Sequence, residues 1–186
     1  MANWRNIIPF IRKAEGGLSK HSKDSAAKNP VPDGSGYHTN KGITWGTFTG
    51  LAARLGYTPT PALFYQMPDW VWEKIWKSGF WDAVKGDRIT SQGVADILAD
   101  FAWGAGPGRA IRVVQKVVGV PVDGRLGPQT LAAINRRGSG LIEPLAAAKK
   151  AFYLSLQSAA TFGAGWSKRL DELEAIAKKE LPAVAA

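Results

Sequence analysis

The chain is 186 residues long and 45% hydrophobic, and its 24 Lys and Arg outnumber 15 Asp and Glu for a formal net charge of +9. This composition excludes a disordered chain, and the lack of cysteine excludes disulfides, thiolate nucleophiles and Cys-ligated zinc. The basic excess suits polyanions, but the Lys and Arg residues are scattered without a dense run, so nucleic-acid binding is not expected.

Trp4, Ile7, Ile8 and Ile11 recur at helical spacing and predict a first helix that ends near Glu15. Pro9 either kinks it or sits in its first turn, and Gly16-Gly17 stops it. This apolar stretch is too short for a signal-peptide core, and no run approaches the roughly 20 residues of a spanning helix. Synthesis in the cytoplasm without a signal peptide, and no stable membrane insertion, are therefore expected. Residues 18–44 are polar and rich in turn signals, a long irregular loop of the kind that carries function. A helix is expected over about 45–56, with Phe48, Leu51, Ala52 and Leu55 on one face, and Pro59 and Pro61 break the chain after it. Pro68 and Asp69 open another helix, striped by Val71, Trp72, Ile75 and Trp76 and ended by Gly79.

Residues 91–103 read as a buried helix through Val94, Ile97, Leu98 and Phe101. The cluster Gly104-Ala105-Gly106-Pro107-Gly108 then breaks the chain sharply. It lacks the Lys-Ser/Thr that completes a phosphate-binding loop, so it reads as a boundary between residues 1–105 and 106–186. The two regions are expected to pack as one compact unit. Helices follow over about 109–118, 128–136, 144–162 and 167–181, the last with Leu170, Leu173, Ala177 and Leu181 on one face. The fold class is mainly α.

Glu15 is the first residue with chemical promise. At about 100° per residue it falls within the arc of Trp4, Ile7, Ile8 and Ile11, so it is expected on the buried face of the helix's last turn. Partial desolvation and the negative helix end both favour the protonated carboxyl, as a glycosidase general acid requires. Pairing with a buried Arg is the plainer alternative. Inverting glycoside hydrolysis needs a second carboxylate about 6.5–9.5 Å away with a water between, and Asp24 or Asp33 in the loop could supply it. Tyr37, His38, Thr39 and Trp45 mix aromatic, hydroxyl and polar groups suited to a sugar cleft, and Trp103 could line one as well. Thr39 could position the attacking water. The two histidines, His21 and His38, lack metal-binding spacing, so neither metal nor cofactor is expected.

Glu15-Gly16-Gly17, a polar loop containing Asp24, and Thr39-Asn40-Lys41-Gly42-Ile43-Thr44 together resemble the signature of the glycoside hydrolase family 108 N-acetylmuramidases. Phe80-Trp81-Asp82 and the segment 94–101 are similar to that family's later helices. Residues 114–119, Val122-Asp123-Gly124, Gly127-Pro128 and Thr130-Leu131 are similar to the peptidoglycan-binding region that usually follows. The resemblance covers roughly residues 4–137. It implies a lysozyme-like helical fold with a long irregular active-site loop or small β-hairpin. It also implies that Glu15 is the catalytic acid, with Asp24, nine residues on, and Thr39 activating water. The loop is extended around residues 29–36 relative to the family, which leaves the choice between Asp24 and Asp33 open.

The expected activity is a muramidase hydrolysing the β-1,4 bond between N-acetylmuramic acid and N-acetylglucosamine, with inversion. A phage or prophage endolysin released by a holin, or a bacterial toxin or secretion accessory, fits this reading, with peptidoglycan as partner and a monomer as the state. A non-catalytic peptidoglycan-binding protein on the same fold is the alternative.

Overall fold

In the computed structural model, residues 1–13, 15–22, 24–157 and 159–179 are described. They fall into two units, Ile8–Gly79 and Met1–Ile7 with the chain from Phe80 onward.

In the first unit, Pro9 decides where the first helix begins. Its missing amide hydrogen and fixed φ suit a first turn, and α1 spans Ile8–Lys13 with Pro9 second. The helix expected over 4–15 is therefore a separate 3-10 turn, Trp4–Asn6, followed by one six-residue helix. Glu15 lies just past the helix but is still held by its turn, because its amide donates to the Arg12 carbonyl at 3.1 Å.

The loop beyond Glu15 returns beside a hairpin. Ser19 bridges Thr39, its amide donating to the Thr39 carbonyl at 2.9 Å. β1 (Thr39–Asn40) and β2 (Ile43–Thr44) pair antiparallel, with Thr39 opposite Thr44. Lys41 and Gly42 make the turn with φ of 46° and 74°. Positive φ at both central residues is the tight hairpin turn whose twist matches the strands, and Gly42 adopts it at no steric cost.

Thr44 then caps α2 (Trp45–Arg54), its side chain accepting from the Thr47 amide. The helix ends in a Schellman arrangement. Gly56, at φ 81°, donates to the Ala53 carbonyl, and the Tyr57 amide reaches back to the Ala52 carbonyl at 2.9 Å. Pro59 and Pro61 do more than break the chain. Thr60 caps a short α3 (Pro61–Tyr65) that has Pro61 in its first turn. α4 (Asp69–Trp76) buries Val71, Trp72, Ile75 and Trp76 as the periodicity predicts. Instead of stopping at Gly79, the chain continues through a wide turn, Lys77–Trp81.

The second unit is built around α5 (Gln92–Ala105), capped by Ser91, in which every residue from Gly93 to Ala102 is buried. α6 (Pro107–Val118), α8 (Ile142–Leu154) and α9 (Ala159–Lys179) pack against it, and α7 (Pro128–Arg137) lies on α6. Being surrounded, α5 is apolar on all sides past its first residue, Gln92, except for Asp96 and Asp100. Asp100 is buried between Lys149 and Arg169, hydrogen-bonded to the Lys149 ammonium and, at 2.6 Å, to the Arg169 guanidinium. Burial pushes the Asp100 carboxyl up, but the Lys149 and Arg169 charges together hold it below its usual value.

The expected break between the last two helices is misplaced. α8 ends at Leu154 and α9 already begins at Ala159, running through Gly163 and Gly165. Leu170, Leu173 and Ala177 are buried as expected, while Leu181 lies outside the described residues. Among the described residues no helix is long and apolar enough to cross a membrane.

Candidate active site

Within the first unit, α1, the hairpin and α4 wall a cavity of about 330 Å³ lined by Arg12, Glu15, Gly16, Gly17, Asn40, Lys41, Asp69 and Trp72. Glu15 is half-buried there, one helical turn after Arg12. The wall opposite is organised by Asp69. The Arg12 guanidinium bonds to one Asp69 oxygen at 2.8 Å and the Lys41 ammonium to the other at 3.0 Å. These two hydrogen bonds, Arg12's first, hold the Asp69 carboxyl below its usual pKa. Arg12 also reaches Glu73 at 3.1 Å, and its guanidinium lies 5.0 Å from the Trp72 ring.

Each residue of the segment 39–44 has a structural task. The Asn40 amide donates to the Phe64 carbonyl at 2.6 Å, satisfying the end of α3. Lys41 donates to the Met67 carbonyl, and its own carbonyl accepts from the Trp72 indole at 2.8 Å. Ile43 is fully buried, and Thr44 caps α2. Sequence reasoning took the segment as a recognition signal. Its physical meaning is a clamp that fixes Lys41, in a left-handed conformation, against α4.

Asp24 and Thr39 do not line this cavity, but both lie beside His38. Asp24 caps the 3-10 turn Ser25–Lys28, accepting from the Ala26 amide at 3.0 Å. Its other oxygen is 4.0 Å from His38 Nδ1, and the same nitrogen is 2.9 Å from Thr39 Oγ1. Asp33 is held elsewhere. The Tyr65 hydroxyl donates to it at 2.5 Å, and it accepts from the Ser35 amide at 3.0 Å. Hydrogen bonding by Ser35 and then Tyr65 lowers its pKa to about 2.

His38 was expected to meet substrate, but the structure buries it fully, because its ring fills the space between the 19–24 loop and the hairpin. Tyr37 is half-buried, 6.1 Å edge-on to Tyr65, with the Lys20 ammonium 5.1 Å from its ring. Trp45 is buried against Phe48 and Phe64. Trp103 belongs to the other unit, edge-on to Phe80 at 4.8 Å. Sequence reasoning missed Arg12, Asn40, Lys41, Asp69 and Trp72 as lining residues. For Arg12 the signal was available, since it sits three residues before Glu15 on the same helical face. For Asp69 and Trp72 there was none, because they come from a helix read as plain core. Among the described residues no group of three or more His, Cys, Asp or Glu could hold a metal ion.

Comparison with known proteins supplies the remaining context. The sequence model of the family described as Glycosyl hydrolase 108 matches residues 8–106, and that of a predicted peptidoglycan domain matches residues 109–171. The solved structure of SagA from Brucella abortus is similar over 98% of this chain and 97% of its own, at 31% identity and a TM-score of 0.77. No curated protein matches at a significant level.

Proposed function

The chain belongs to the glycosyl hydrolase 108 family and is a peptidoglycan-acting glycosidase, and from that premise we propose that it is an N-acetylmuramidase with Glu15 as its general acid. The observation that carries this assignment is the position of Glu15 on the cavity wall. Of the two carboxyls there, Asp69 is kept ionised by Arg12 and Lys41 and is a poor proton donor, which leaves Glu15 for the task. In the proposed reaction Glu15 protonates the oxygen of the β-1,4 bond between N-acetylmuramic acid and N-acetylglucosamine. As the bond from the anomeric carbon to that oxygen breaks, a water attacks the carbon from the opposite face. Asp24 accepts one of the water's protons and the Thr39 hydroxyl oxygen accepts a hydrogen bond from the other O–H, orienting the water, so the product is inverted. The shared contact with His38 supports Asp24 over Asp33, which is engaged with Tyr65. In this scheme residues 1–105 carry catalysis and residues 106–186 contribute wall contact.

Mass spectrometry of muropeptides tests the assignment. Wild type should release fragments with reducing muramic acid ends, and Glu15→Gln should release none. Anhydro ends, or undiminished lysis by Glu15→Gln, would overturn it. A non-catalytic wall binder is the second reading, favoured by the match to a peptidoglycan domain over residues 109–171. It predicts retention on insoluble peptidoglycan with no reducing ends released by the wild type.

A further inference from the structure

Of the eight tryptophans, all described, only Trp70 is exposed, with 54% of its surface accessible. A single surface tryptophan needs no explanation by itself, but this one belongs to an ordered group. Tyr57 meets its ring edge-on at 5.6 Å. Lys74, four residues on and on the same face of α4, lies 5.4 Å from the Trp70 ring and 5.6 Å from the Tyr57 ring. Its ammonium donates to the Tyr57 hydroxyl at 2.9 Å.

Each member is held in place. The Tyr57 backbone is fixed by the Schellman turn that ends α2, Trp70 sits in the first turn of α4, and Lys74 is oriented by Tyr57. The result is a rigid aromatic face with a cation at its edge, and little conformational entropy is left to lose on binding. Trp70 follows Asp69, which lines the cavity, while Trp72 points about 200° away from Trp70 into the core. The aromatic face and the cavity wall are thus two sides of one helix within one unit.

We infer that Tyr57, Trp70 and Lys74 form an accessory binding platform, outside the cavity, for an aminosugar chain bearing carboxylates. The occupant is the peptidoglycan strand itself. Pyranose faces present C–H groups that stack on the aromatic rings, and lactyl or stem-peptide carboxylates meet Lys74 on a chain of net charge +9. The inference rests on peptidoglycan as the partner but not on which bond is cleaved.

The test is co-sedimentation of the full-length Glu15→Gln protein with insoluble peptidoglycan and, separately, with chitin, which lacks carboxylates. Adding Trp70→Ala should weaken binding to both polymers about fivefold, and Trp70→Phe should restore most of it. Adding Lys74→Glu should weaken binding to peptidoglycan but not to chitin. If Trp70→Ala sediments like its parent, the platform is overturned. If Lys74→Glu weakens both polymers equally, the carboxylate contact is overturned. Because no cleavage is read, failure of the muramidase assignment would leave these outcomes unchanged. A second measurement avoids peptidoglycan retention by residues 106–186. Soluble muropeptide chains should shield wild-type tryptophan fluorescence from acrylamide, and Trp70→Phe should abolish that shielding. Shielding that persists in Trp70→Phe counts against the inference.

Discussion

His38 Nδ1 lies 2.9 Å from Thr39 Oγ1, and the far side of the ring decides which atom donates. His38 Nε2 faces the His21 carbonyl at 3.3 Å, and a carbonyl only accepts. The hydrogen is therefore on Nε2, and in a neutral ring Nδ1 accepts from the Thr39 hydroxyl. This aims the Thr39 proton at His38 and leaves its oxygen lone pairs for another donor, such as a water. His38→Phe should keep the packing but remove the ring's hydrogen bonds to Thr39 and to the His21 carbonyl, which still accepts from the Asp24 amide at 2.9 Å, costing about 0.5–1.5 kcal/mol. It should also lower turnover at least tenfold as Thr39 becomes free to rotate. His38→Gln, which offers both a donor and an acceptor, should recover part of each. Thermal unfolding and glycan turnover of the two variants check this, and equal turnover in both would remove the positioning role.

The buried charges around Asp100 yield a stability prediction. Asp100→Ala leaves the Lys149 and Arg169 cations without their shared carboxylate, and Lys149 is only 1% exposed. The expected loss is about 3–5 kcal/mol in urea unfolding. Combining Asp100→Leu with Lys149→Met should recover most of it by replacing the buried pair with apolar packing. A loss below about 1 kcal/mol for Asp100→Ala would mean that Lys149 escapes to water.

Thr44 offers a local test of the hairpin-to-helix junction. Its hydroxyl oxygen accepts from the Thr47 amide at 3.2 Å. Thr44→Ala should cost about 1 kcal/mol, and Thr44→Ser should restore nearly all of it. Urea unfolding of the pair measures both.

Asp33 and Tyr65 set a pH window for their loop. The Asp33 carboxyl falls from 3.8 to about 2 through hydrogen bonds from Ser35 and Tyr65, so its contribution is present above 3.8 and lost as pH falls through about 2. Tyr65 is raised above 10.0 by burial and by Asp33, so its contribution is present below 10.0 and lost as pH rises beyond. The anchor should hold across the whole interval between. The Ser35 amide, which donates to Asp33 at 3.0 Å, should titrate by NMR with a midpoint near 2. A midpoint near 3.8 would contradict the hydrogen-bonded assignment.

Periodicity made most of the helices legible, since α4 and α5 bury the stripes their sequences announce. It misjudged α1 because Trp4, Ile7, Ile8 and Ile11 keep helical spacing across a 3-10 turn, which angular arithmetic treats as continuous. Glu15 reaches the cavity through a backbone bond to Arg12 rather than as the last residue of a long helix. The α8–α9 break was misplaced because Gly163 and Gly165 look like breakers, yet tertiary packing carries α9 through them. The Asp100 group was invisible for another reason. Its partners lie 49 and 69 residues away, and no local pattern records a contact across such separations. Asn40 and Lys41 were read as part of a motif, but their contacts with α3 and α4 emerge only when those helices are in place.

The loop around residues 32–36 closes on itself. The Val31 amide donates to the Tyr37 carbonyl at 2.7 Å, Val31 is buried, and Asp33, Ser35 and Tyr65 bond to one another. The chain thus leaves and re-enters the fold through a clasp of fixed width, and what hangs from the clasp does not set the register of Thr39. For protein engineering this segment is a splice point. A reporter peptide or an affinity handle inserted at Gly34, where nothing packs within 4 Å, would be carried outside the Val31–Tyr37 closure while the hairpin keeps its geometry.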